Sequence, residues 1–147
     1  MISILVGPAS TPLAEGDWTP IFYGSITAGT TAYNIQRGKY YRIGKLVFIQ
    51  GYIAVNSRTG TGSCRIGGLP FNFSANYDAP TFAMDDNYVN YGVYEHTQPN
   101  GISGTKTMCL EGSQSGGGWN QRTMDMFPDG CGFKFTGSYI TEDDMPA

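Results

Sequence analysis

Apolar and polar residues alternate along this chain in short runs bounded by Gly, Asn, Asp and Pro, and no ten-residue window carries a 3.6-residue apolar period. The pattern predicts strands at residues 18–23, 31–36, 39–43, 46–55, 63–66, 81–84, 88–96, 105–111 and 132–140. The last of these shows the ordinary form. Phe133, Phe135 and Tyr139 alternate with Lys134, Thr136 and Ser138, so one side belongs to a core and the other to water. The run at 46–55 departs from it. Leu46, Phe48, Gln50, Tyr52 and Ala54 share one face, Val47, Ile49, Gly51, Ile53 and Val55 share the other, and neither face is polar. Something must cover the second apolar face. Either another copy of the chain covers it, with Val47, Ile49, Ile53 and Val55 as candidate oligomer-interface residues, or it is buried between two sheets of one chain.

Turn chemistry divides these runs. Gly44-Lys45 has the form of a two-residue hairpin with glycine at the position that needs a positive φ. Asp85-Asp86-Asn87 is expected as a tight turn, Gln98-Pro99-Asn100-Gly101 as a proline-led turn, and residues 56–62 as a hairpin tip. The longest break, residues 112–130, opens as a glycine-rich loop and brings Met124, Met126 and Phe127 back toward the core; loops of this length are often functional. Strands so spaced imply an all-β fold, a jelly-roll-like antiparallel β-sandwich.

With 147 residues and only 14% charged side chains, the chain has the size and balance of one folded domain. Its net charge is −3 and its nine Lys and Arg are scattered, which argues against a nucleic-acid partner. Cys64, Cys109 and Cys131 have neither disulfide-framework nor zinc spacing and are expected as buried, reduced thiols. The opening MISILVGPASTPLAEG lacks a basic lead and breaks at Gly7-Pro8, so neither a signal peptide nor a membrane insertion is expected. Residues 1–16 are assigned as an N-terminal arm and residues 17–147 as the sandwich domain.

The single histidine, His96, has no nucleophile elbow or metal-ligand spacing around it, and the scattered carboxylates carry no specific glycosidase signature. No catalytic residue, metal or cofactor is expected. Aromatic residues are more informative. Trp119 lies in a polar, glycine-rich loop where a core role is hard to arrange, beside Asn120, Gln121 and Arg122; a flat ring with such donors suits a sugar, although the indole could equally cap a sheet edge. Tyr77, Asp78, Tyr88, Asn90 and Tyr91 form a second glycan-binding candidate. Glu142-Asp143-Asp144 reads as a solvated tail.

Four segments, DWTPIFYGS, YNIQRGKYYRIGKLVFIQGYI, CRIGGLPF and FKFTGSYIT, together resemble the C-terminal jelly-roll domain of bacteriophage tail fibre and tailspike proteins. The hairpin and the Leu-Pro-Phe turn are the more specific pair, and little matches between Asn72 and Gly130. The resemblance implies a homotrimer on the virion, assembled in the host bacterial cytoplasm, whose distal loops contact host-surface glycans. In that family the domain usually ends a long chain with an N-terminal anchor, whereas a short segment precedes Trp18 here. Two roles are therefore expected: a non-enzymatic receptor-binding protein, or a capsid or tail decoration protein held to other virion proteins through its arm, with Ile2, Ile4, Leu5 and Val6 as candidate attachment residues.

Overall fold

The computed structural model describes residues 12–147. Ile2, Ile4, Leu5 and Val6, the candidate attachment residues, lie outside them. The described chain forms ten strands, Leu13–Trp18 (β1), Ile21–Gly24 (β2), Thr31–Ile43 (β3), Leu46–Arg58 (β4), Cys64–Gly67 (β5), Ala83–Asn87 (β6), His96–Gly101 (β7), Met108–Ser113 (β8), Asn120–Gln121 (β9) and Gly132–Ile140 (β10), with one 3₁₀ turn at Met124–Met126. They make two antiparallel sheets, a larger one in the order β1-β3-β4-β10-β6 and a smaller one in the order β2-β5-β8-β7, with β9 also paired to β8. The two sheets face each other as a β-sandwich.

The large sheet is organised by the hairpin of β3 and β4, which turns at Gly44 with φ +56° and pairs Ile43 with Leu46, as the turn chemistry predicts. The predicted strands at 31–36 and 39–43 are one 13-residue strand. Gly38 does not break it because the ring of Trp18 lies where a side chain would be, 2.5 Å from an added Cβ. Conversely, the run at 18–23 is two strands in different sheets, parted at Thr19-Pro20. β1 starts at Leu13, so residues 13–16 of the sequence-assigned arm are already paired with β3.

The expected interface face of β4 proves to be the inside of one chain. Val47, Ile49, Ile53 and Val55 are at most 1% exposed, packed with Phe133 and Phe135 of the same sheet and with Phe22, Ile66 and Leu110 of the other. The internal alternative holds for this face because the small sheet supplies enough apolar surface to cover it; each such side chain contributes about 1.5–3 kcal/mol by burial. The face left outside is that of Leu46, Phe48 and Tyr52.

Two further differences concern the small sheet and its neighbour. Residues 88–95 are a loop rather than a strand, and Tyr88 takes a positive φ of 57°. The proline-led segment is instead strand β7, paired with β8 from His96↔Ser113 to Gly101↔Met108. Proline is tolerated there because β7 is an edge strand, and the Pro99 carbonyl points away from β8 to accept the Phe82 N–H at 2.9 Å. Asp85, Asp86 and Asn87 likewise lie within β6. The acidic tail is clamped as well: Asp143 accepts hydrogen bonds from the backbone and side chain of Asn72, and Glu142 pairs with Lys45 at 2.6 Å. Buried Arg42 donates to the carbonyls of Gly44, Asp143 and Asp144.

Candidate functional site

Period-two alternation sorts the small sheet into an apolar inner face and a polar outer one. On β8, Met108 and Leu110 enter the core while Cys109 and Glu111 point out. Register then extends the outer face across neighbouring strands. Tyr23, Arg65, Cys109 and Asn100 form one cross-strand row, and Gln121, Glu111 and Gln98 form the next. Ser113 and His96 continue the face toward Trp119.

Hydrogen bonds tie these rows together. Arg65 donates to Oε1 of Gln121 at 3.0 Å, Asn100 donates through Nδ2 to Glu111, and the Cys109 thiol lies 3.6 Å from the other Glu111 oxygen. A ring nitrogen of His96 meets Oε1 of Gln98 at 3.1 Å, and the imidazole packs edge-on against the Trp119 indole, with ring centroids 6.5 Å apart. Trp119 itself remains 56% exposed. The result is a surface of planar amides, a guanidinium and a carboxylate, with an open indole at one end. Burial and the neighbouring Glu111 push the Cys109 thiol up to about 11, which keeps it a neutral thiol rather than a nucleophilic thiolate. All three cysteines are buried and unpaired.

The structure separates the residues named from the sequence. Trp119, Asn120 and Gln121 are exposed, and Tyr88 and Asn90 are exposed on the adjoining loop, with Tyr91 half-buried. Arg122 is not a surface donor at all. It is fully buried, because alternation after outward-facing Gln121 turns it to the inside. Its guanidinium donates to the Thr97 hydroxyl, to the Asn90 carbonyl at 2.5 Å and to the Met126 sulfur at 3.0 Å. Around it stand the rings of Tyr94 at 4.7 Å, Tyr91 at 5.3 Å and Phe127 at 5.7 Å. Desolvation pulls its pKa below the usual guanidinium value.

Arg122 thereby joins the two candidate groups. It holds the 88–95 loop, whose Asn90 N–H also donates to the Met126 carbonyl at 2.8 Å, against the loop carrying Trp119. Tyr91 is fixed in turn by donating to Asp86 at 2.5 Å; burial first, and this bond second, push its hydroxyl up to about 12. Sequence reading missed Arg65, Gln98 and Glu111. For Gln98 and Glu111 the signal was present as the polar alternation His96-x-Gln98-x-Asn100 and Cys109-x-Glu111-x-Ser113, obscured because Pro99 reads as a turn.

No protein-family model matches the sequence, and no curated protein matches it. Among solved structures, the crystal structure of the Dettilon tailspike protein superposes on 87% of this chain with a TM-score of 0.71 at 14% sequence identity. The chain spans 24% of that tailspike's length. The likeness shows a tailspike-like fold.

Proposed function

We propose that this chain is a non-enzymatic surface protein of a bacteriophage virion, a jelly-roll homotrimer that binds host-surface carbohydrate on the outer face of its small sheet. The observation that carries the binding reading is Trp119, an indole left 56% exposed at the end of a hydrogen-bonded amide and guanidinium surface, on a fold shared with a tailspike. An aromatic face against a sugar ring, with amides and Glu111 meeting its hydroxyls, is the chemistry such a surface offers. The trimer reading is supported by one end of the large sheet's outer face, beside the β3–β4 turn, where Leu13, Tyr41, Ile43 and Phe48 are exposed.

The test is binding of purified protein to surface polysaccharide of candidate host bacteria. Trp119→Ala is expected to leave the melting temperature unchanged and to weaken binding about tenfold or more, as loss of a stacking anchor does. Unchanged binding removes this face from the function. A deletion of residues 1–11, which spares β1, separates receptor binding from decoration: a decoration protein loses attachment to virions with that deletion, whereas a receptor binder keeps its glycan.

A further inference from the structure

The outermost strands of the two sheets are β2 and β7 on the small sheet and β1 and β6 on the large one. The chain closes the first two itself. On β2 the Phe22 N–H donates to the Tyr33 hydroxyl and the Phe22 carbonyl accepts from the Thr31 hydroxyl, while the Pro20 carbonyl just before the strand accepts from the Gln36 amide, each at 2.8 Å. On β7 the Pro99 carbonyl accepts from the Phe82 N–H at 2.9 Å and the Gly101 N–H donates to the Pro80 carbonyl at 3.0 Å. The edge strand β6 is short and carries Asp85 and Asp86, charges of the kind that guard an exposed edge.

β1 is left open by the described residues. The Pro12 carbonyl accepts the Gly44 N–H at 2.9 Å, and alternation from that pair makes Ala14, Gly16 and Trp18 the residues whose backbone groups bond β3. The N–H and carbonyl groups of Leu13, Glu15 and Asp17 therefore point away from the sheet. No described residue bonds them. The strand is regular, with no bulge in its pairing and no proline, so this row can receive another strand. Its charge restricts which one. Asp17 is paired with Lys39, but Glu15 meets no cation among the described residues, so β1 or β6 of another copy would bring acidic side chains against acidic ones.

The eleven residues directly before β1, MISILVGPAST, carry no charge, and in them Ile2, Ile4 and Val6 alternate with Ser3 and Leu5 ahead of a Gly7-Pro8 break. We infer that the open edge of β1 is the docking site for residues 2–6 of the same chain, which add to it antiparallel as a sixth strand of the large sheet. Leu5 pairs with Leu13 and Ser3 with Glu15, joined by the connection 6–12. That register turns Ile4 and Ile2 to the inner face, beside half-buried Ala14 and Gly16, where the Tyr40 ring lies 2.8 Å from an added Cβ. Ser3 and Glu15 then share the outer face; a slip by one residue would exchange the two sets. A tether this short holds the segment at an effective concentration on the order of millimolar, which favours the chain's own segment over one from another molecule. The inference does not depend on carbohydrate binding. Its consequence is that attachment to a virion through residues 2–6 requires them to leave β1.

The test is amide hydrogen exchange, read residue by residue by NMR, on the full chain and on a deletion of residues 1–11. Leu13 and Glu15 are expected to exchange about tenfold more slowly in the full chain, at every protein concentration. Ala14 and Gly16, bonded to β3, report whether β1 itself stays folded. In the full chain, Ile4→Asp is expected to speed exchange at Leu13 and Glu15 while Ala14 and Gly16 stay protected, and it decides the matter if the deletion unfolds β1. Equally fast exchange at Leu13 and Glu15 with and without residues 1–11, or protection that survives Ile4→Asp, overturns the inference. So does protection that rises with protein concentration, which would assign the edge to the same segment of another copy.

Discussion

Arg122 shows how far residue type alone can mislead. In sequence it sits beside Trp119, Asn120 and Gln121 and reads as a ligand donor; in the fold it is fully buried and acts as a positioning residue that fastens one loop to another. Its fork reaches a hydroxyl, a carbonyl and a thioether in different directions, a geometry the single ammonium of lysine does not reproduce. Arg122→Ala is expected to cost about 2–4 kcal/mol, because it opens a cavity among Tyr91, Tyr94 and Phe127 and leaves Asn90 and Thr97 short of a partner. Chemical denaturation measures this, and a loss below about 0.5 kcal/mol would show that the loops hold together without it. Arg122→Lys is expected to restore only a fraction of the loss. Trp119 is the opposite case. Its sugar-binding candidacy came from being an aromatic in a polar loop, and that same composition left it exposed in the fold.

At the level of elements, the turn of the β3–β4 hairpin was legible and β7 was not. Gly44 requires a positive φ that few other residues adopt, so its turn announces itself; Pro99 sends an equally strong turn signal that an edge position overrides. Edge or centre is a property of the sheet, invisible to a local window. The same limit hid Gly38. It looks like a strand breaker, yet it is paired in register with Gly51, and each of the two gives up its side-chain volume to an aromatic ring. Gly51→Ala is therefore expected to destabilise the protein by about 1–3 kcal/mol through overpacking against Phe135. A thermal melt that is unchanged would mean that the Phe135 ring moves aside freely.

For the whole molecule, the decisive correction concerns which face of β4 is inside. The face of Val47, Ile49, Ile53 and Val55 is core, so Ile53→Asp is expected to abolish folding of the single chain rather than merely dissociate neighbouring copies, since an unpaired charge cannot be accommodated there. The face outside carries Phe48, 45% exposed, next in register to Tyr41, 55% exposed. If copies associate through it, Phe48→Asp yields a folded monomer, read by circular dichroism together with analytical ultracentrifugation. A folded trimer that survives this change places the contact elsewhere. By itself the sequence determined an all-β chain, most of its strands, its central hairpin and its buried thiols. These follow from side-chain alternation, turn chemistry and composition, all of which act over a few neighbouring residues. Only the tertiary structure decided which apolar face turns inward, that Arg122 is a post rather than a contact, and that Arg65, Gln98, Glu111 and Gln121 meet on one surface. Those outcomes depend on strand register and on what the opposing sheet covers, and both are set by residues far apart in the chain.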